Sequence, residues 1–222
     1  MSTGTRARRT GLTALATVAV TALAVPAGAH AATDAPAPAR VQAPASAPAR
    51  AATAAASGKV DHATWQRDCQ GVMDQALPYI EERIAAGAPG EKRAIVFDVD
   101  NTTLETDFGF HWPQPANRPV LEVARYAQEH GVSLFFVTAR PGIIAAPTAY
   151  NLEHDGYEVD GLYVRGLLDL FKNVADYKTA QRAGIEAKGY TIIANIGNSA
   201  TDLSGGHAEK TFKLPDYDGQ LS

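Results

Sequence analysis

The chain has 222 residues, 45% of them apolar and 20% charged, with a single cysteine. One cysteine cannot pair within the chain, which excludes a disulfide-stapled mini-protein. A formal charge of -4 without a long Lys/Arg run excludes a strongly basic nucleic-acid binder, and the length suits one domain of ordinary size.

In chain order, Arg6, Arg8 and Arg9 come first, and Leu12 to Val25 is a 14-residue run without charge. Pro26 and the small residues Ala27-Gly28-Ala29 or Ala29-His30-Ala31 follow. This is the layout of a secretory signal peptide over residues 1–31, cut near Ala29–Ala31; the run falls short of the roughly 20 residues of a membrane span. Arg8-Arg9 also admits twin-arginine export. Residues 31–57 contain fourteen Ala and four Pro. Such a composition cannot offset its ordering entropy, so 32–57 reads as a disordered linker. Residues 58–222 remain as the folded unit. Without Arg6, Arg8, Arg9, Arg40, Arg50 and Asp34 its formal charge is -8. That field disfavours nucleic acid and stable membrane association once the signal is cut, and an anionic substrate would need local cations.

From Asp61 to Ala86 apolar residues recur at spacings of three and four, predicting a helix closed by Gly87, Pro89 and Gly90, with Pro78 a candidate kink. Cys69, on its apolar face, reads as a buried inert thiol. Ala94 to Phe97 is a short apolar run suited to a strand buried on both faces. Then come a helix from Val120 to His130, a strand from Ser133 to Val137, and a helix from Gly142 to His154 interrupted by Pro147. A strand from Gly161 to Val164, a helix from Asp176 to Lys188, a strand from Thr191 to Ile196 and a short strand around Thr211 to Leu214 complete the unit. Alternating strands and helices predict an α/β fold, a parallel sheet between two helical layers, with ligands beyond the carboxyl ends of the strands.

The residues that follow the strands converge on one chemistry. Asp98-Val99-Asp100-Asn101-Thr102 follows the first, Thr138-Ala139-Arg140 the second, and Gly197-Asn198-Ser199-Ala200-Thr201-Asp202 the fourth. Two carboxylates at i and i+2 repel unless a cation or shared proton relieves them, and Mg²⁺ suits oxygen ligands of this kind. Taken alone, the pair fits helix capping almost equally well.

The run Phe97-Asp98-Val99-Asp100-Asn101-Thr102-Thr103-Leu104 resembles motif I, D-x-D-x-T, of the haloacid dehalogenase (HAD) superfamily. Val137-Thr138-Ala139-Arg140 resembles its motif II, Lys178 its motif III lysine, and Gly197-Asn198 to Asp202 its motif IV, all in family order. The helical N-terminal extension, the small segment after motif I and the Phe212-Lys213-Leu214-Pro215 ending are similar to the secreted class B-type acid phosphatases, which include plant vegetative storage proteins. The resemblance implies a Rossmann-like three-layer α/β/α fold with at most a small cap.

It also implies an exported Mg²⁺-dependent phosphatase of small phosphomonoesters. Asp98 would be the nucleophile, forming an aspartyl-phosphate, and Asp100 the general acid/base. Thr138, Lys178, Thr102 and Arg140 would serve the phosphate, and Asp98, Asp100, Asp202 and Asn198 the metal. Outside that context Thr138 could simply end a strand, Lys178 could be a solvated helix residue, and Arg140 could pair with any carboxylate.

One departure stands in motif IV, where the family usually has an acidic residue directly after the glycine and this chain has Asn198. The Gly-Asn…Asp pattern resembles that of lipin-type phosphatases. It leaves open whether Asn198 or Asp202 is the third ligand, and it predicts tighter Mg²⁺ binding for Asn198→Asp. The aromatic segment Asp107 to Arg118, with Phe108, Phe110, His111 and Trp112, could stack on a leaving group or merely pack over the sheet edge. His207 reads as a surface-loop histidine. The rival functions are a phosphotransferase and an idle binding or storage protein on the same scaffold; some vegetative storage relatives have lost the nucleophile.

Overall fold

The computed structural model of the chain describes residues 59–221; the predicted signal peptide and linker lie outside the described residues. The first element, α1, spans His62–Ala85. Asp61 caps it by accepting the Thr64 N–H at 3.0 Å, and the helix runs on through Pro78. Trp65, Cys69, Met73, Ala76 and Ile80 form its buried stripe. Burial pushes the Cys69 thiol up to about 12, which leaves it without thiolate chemistry at neutral pH.

Strand β1 (Lys92–Phe97) is followed by α2 (Arg118–Glu129), β2 (Ser133–Pro141), α3 (Ala145–Asp155) and β3 (Gly161–Arg165). Then come α4 (Val174–Glu186), β4 (Tyr190–Gly197), the short α5 (Ala200–Leu203) and β5 (Thr211–Lys213). The strands pair in the order β3-β2-β1-β4-β5, and every named pair is parallel. Strand side chains alternate between faces. Ile95, Phe97, Leu134 and Phe136 join Trp65, Met73, Val120 and Val123 on the side of α1 and α2. Ala94, Val96, Phe135 and Val137 meet Tyr177 and Ile185 of α4 on the other. The predicted three layers are thus present, with the chain reversing its lateral direction around β1. The carboxyl end of β1 is the switch point, where a ligand crevice is expected.

Differences from the sequence reading are local. β2 runs on to Pro141, because Pro141 pairs with Arg165 after a register shift. A 3₁₀ turn at Gly142–Ile144 precedes α3, which places Pro147 in the first helical turn where no intrahelical N–H is lost. The short α5 has no counterpart among the predicted elements. Among the described residues no helix is long and apolar enough to cross a membrane.

Candidate active site

Backbone pairing carries β1 into the site, since the Asp98 N–H still donates to the Ile196 carbonyl of β4 at 3.0 Å. The chain then folds over itself: the N–H groups of Thr102, Thr103 and Leu104 all donate to the Val99 carbonyl, at 3.3, 3.0 and 3.0 Å. Asn101 takes a left-handed conformation, φ 50°, which Asn tolerates better than most residues. Its side chain holds Asp107 twice, at 3.1 Å to Asp107 Oδ2 and 3.1 Å from the Asp107 N–H. The turn leaves Asp98 and Asp100 on the wall of one cleft, about 450 Å³ in volume, together with Lys178, Asn198 and Asp202.

Lys178, only 3% exposed, comes from the second turn of α4. Its Nζ lies 2.5 Å from Asp98 Oδ1 and 2.6 Å from Asp202 Oδ1. Burial alone would lower the Lys178 pKa, but Asp98 and Asp202 outweigh it and the pKa is raised. Asp98, 6% exposed, is pushed up to about 7 by burial, with Lys178 opposing and the charges of Asp202 and Asp100 adding to the rise. Lys178 thus offsets only part of what burial costs the Asp98 charge. Asp202 also holds the backbone beside it, because its Oδ2 accepts the Ser199 N–H at 2.7 Å and closes a capping box on α5.

Asp100 is bound differently. The Arg140 Nε donates to both carboxylate oxygens at 3.1 Å, and Nη2 reaches Oδ1 at 2.8 Å. The same guanidinium donates to Gln114 Oε1 (2.8 Å) and Thr148 Oγ1 (3.1 Å). Arg140 therefore faces an adjoining cavity of about 530 Å³, lined also by Asp100, Phe110, His111, Trp112 and Pro147. Thr138, fully buried behind Asp100, has its hydroxyl 3.5 Å from Asp100 Oδ2 and accepts the Arg140 N–H at 3.1 Å. Thr102, also buried, donates from Oγ1 to Asn198 Oδ1 at 3.4 Å.

The structure brings Asp98, Asp100, Lys178, Asn198 and Asp202 to one cleft and sets Thr138 and Thr102 behind it. Arg140 pairs with Asp100 and lines the neighbouring cavity, away from Lys178. The aromatic segment divides: Phe108 stacks on Trp65 with ring centroids 4.5 Å apart, whereas Phe110 and Trp112 stay exposed at the second cavity.

Sequence reasoning missed three supports. Arg182, fully buried on α4, donates to the carbonyls of Asp202 (2.7 Å), Gly206 (2.9 Å) and Ser204. Gln66 and His62 of α1 bind Glu105, each at 2.9 Å, and Asn117 reaches the Thr102 carbonyl at 3.0 Å, tying the N-terminal helix to the motif I loop. The third is the capping box, which Ser199-x-x-Asp202 spells out in sequence.

The donor set suits a hard divalent cation. Every candidate ligand offers oxygen, and the three carboxylates of Asp98, Asp100 and Asp202 outnumber the Lys178 ammonium and the Arg140 guanidinium that pair with them. Among the described residues no three His, Cys, Asp or Glu side chains converge to hold a metal by themselves.

Comparison with known proteins points to the same superfamily. The chain is 32% identical to the stem 28 kDa glycoprotein of Glycine max over 119 residues, which cover 52% of this chain and 47% of that protein. It is 25% identical to acid phosphatase 1 of Solanum lycopersicum over 173 residues, 68% of this chain and 67% of that one. The chain spans about half the length of the first of these relatives. The class C acid phosphatase from Bacillus anthracis shares the fold, with a TM-score of 0.57 and 15% identity over 71% of this chain and 80% of that one. A family model for HAD superfamily, subfamily IIIB (acid phosphatase) matches residues 21–220. With the Asp98–Lys178–Asp202 cluster at the carboxyl ends of the strands and that match over most of its length, the chain belongs to the subfamily IIIB acid phosphatases of the HAD superfamily.

Proposed function

We propose that the chain is an exported, Mg²⁺-dependent phosphatase of small phosphomonoesters that works through an aspartyl-phosphate on Asp98. The observation that carries this reading is the buried Lys178 ammonium on Asp98, 2.5 Å away, with Asp100 two residues on in the same cleft. An Asp98 oxygen attacks phosphorus and the bond from phosphorus to the leaving oxygen breaks, while Asp100 gives that oxygen a proton. In the second half Asp100 takes a proton from water, the water oxygen attacks phosphorus, and the bond to Asp98 breaks. Lys178 favours the extra negative charge on the phosphoryl oxygens, while the buried Thr138 hydroxyl, expected from sequence to meet the phosphate, lies behind Asp100 and supports that carboxylate instead. Asp98, Asn198, Asp202 and the Asp100 carbonyl are the groups that would hold Mg²⁺. When bound, the ion supplies charge neutralisation that lets a dianion enter an acidic domain.

Hydrolysis of para-nitrophenyl phosphate by the full chain tests this. Wild type is expected to turn over, to lose activity in chelator and to regain it with Mg²⁺, and Asp98→Asn to fall by about a thousandfold or more. Equal inertness of wild type and variant from acid to neutral pH would sink the phosphatase reading and favour a storage or binding role.

The second cavity favours an aromatic leaving group. Its mouth carries exposed Phe110 and Trp112, the latter 6.4 Å from Tyr150 in a stacked arrangement, and its volume admits one or two rings. Trp112→Ala is expected to raise KM for an aryl phosphate about threefold to tenfold. KM for glycerol phosphate should stay near wild type; equal changes for both substrates would place the leaving group elsewhere.

A further inference from the structure

Asn198 is the position where the chain departs from its family's acidic residue, and three of its polar groups are accounted for. Its backbone carbonyl accepts from Lys213 Nζ at 2.5 Å. Its side-chain Nδ2 donates to the Leu221 carbonyl at 2.5 Å, its Oδ1 accepts from the buried Thr102 hydroxyl at 3.4 Å, and Asn198 lines the cleft. The Leu221 carbonyl belongs to a built turn. Beyond β5, the Leu214 N–H donates to the Gly197 carbonyl (2.9 Å) and Lys213 pairs with Asp216 (3.0 Å). Tyr217, Asp218 and Gly219 take left-handed conformations, with φ of 51°, 56° and 83°, and reverse the chain. The Leu221 N–H then returns to the Asp216 carbonyl at 3.1 Å. Leu214 and Leu221 are fully buried in the core, and the Tyr217 hydroxyl fastens the turn to α1 through Asp68 at 2.7 Å.

A carbonyl oxygen needs a donor, and of the two ends of an amide only Nδ2 is one. An aspartate at 198 would set a carboxylate oxygen against the Leu221 carbonyl, two acceptors facing one another in a buried place. We infer that the C-terminal turn, residues 214–221, orients the motif IV side chain: the Leu221 carbonyl fixes the Asn198 amide so that Oδ1 is presented to the cation cleft, which is why this chain carries Asn there. The inference rests on the cation reading above and reverses the expectation, drawn from sequence, that Asn198→Asp would tighten Mg²⁺ binding. The turn is a positioning element for a ligand, as outer hydrogen-bond partners are in metal sites generally.

The test uses the full chain. Mn²⁺ binding is measured by calorimetry, and the melting temperature is read in chelator, for wild type, Asn198→Asp, Leu221→Ala and the double variant. Leu221→Ala unseats the turn and is expected to weaken Mn²⁺ binding about tenfold, the lower end of the loss seen when an outer partner of a metal ligand is removed. Asn198→Asp is expected to leave Mn²⁺ binding no tighter and to lower the metal-free melting temperature. That drop should shrink in the Leu221→Ala background, where the opposing carbonyl is no longer held in place. Should Leu221→Ala not fold, Asn198→Asp decides alone. Tenfold tighter Mn²⁺ binding by Asn198→Asp with an unchanged melting temperature overturns the inference, as does wild-type affinity in a folded Leu221→Ala. Absence of Mn²⁺ binding by wild type overturns the cation reading itself, and the inference with it.

Discussion

Lys178→Met is expected to reduce hydrolysis of para-nitrophenyl phosphate by about a hundredfold to a thousandfold, the range lost when one preorganised charge partner of a transition state is removed. The same change should destabilise the chelator-treated protein by roughly 3–5 kcal/mol, because Asp98 and Asp202 lose their shared ammonium while both are almost fully buried. Methionine keeps most of the side-chain volume, so the loss reports charge rather than a cavity. Lys178→Arg should not restore activity: a planar fork cannot replace a point donor seated 2.5 and 2.6 Å from two separate carboxylates. Divalent cation should raise the melting temperature of Lys178→Met more than that of wild type, because it meets Asp98 and Asp202 without the ammonium they share. Denaturant melts with and without Mg²⁺, beside steady-state kinetics, check both parts. Activity within tenfold of wild type would remove Lys178 from the phosphate site.

Much of this architecture can be read before any coordinates. The apolar run ending at Asp98-Val99-Asp100 reads as a strand buried on both faces, and such a strand delivers its polar continuation to the sheet edge. Lys178 is legible only through motif order, since one lysine on an amphipathic helix looks like any solvated one. Other features have no linear signature. Arg182 is surrounded by main-chain carbonyls of residues 202–206, and nothing in its neighbours along the chain announces such a cage. Arg140 is two residues from Thr138, and only the path of β2 to Pro141 decides that its guanidinium meets Asp100. The aromatic segment divides where its sequence readings did not: Phe108 packs against Trp65, while Phe110 and Trp112 stay exposed at the second cavity. At Asn198 the identity is visible but its reason is not, because the carbonyl it serves lies 23 residues away.

Asp100→Asn is expected to separate the two halves of the reaction. Both Asp100 oxygens accept from Arg140, which holds the carboxylate in one orientation while each oxygen keeps lone-pair capacity for a proton. The bonds lie at the border of the two cavities, where the leaving oxygen would enter. An asparagine can still lie in the turn and still accept from Arg140 through its one carbonyl oxygen, but it can neither give a proton to the leaving group nor take one from water. For an alkyl phosphate both steps suffer, and turnover should fall by about a hundredfold to ten-thousandfold, the usual range for a lost general acid/base. A para-nitrophenolate needs little protonation to depart, so its first step should survive better and the loss should fall on water attack. The variant should therefore accumulate phosphate on Asp98 with the aryl substrate, visible as a burst of nitrophenolate equal to the enzyme present and as trapped phosphoprotein after acid quench. Wild type should show neither. Equal losses with alkyl and aryl substrates and no trapped phosphoprotein would mean that Asp100 only shapes the turn and that its bonds to Arg140 are structural.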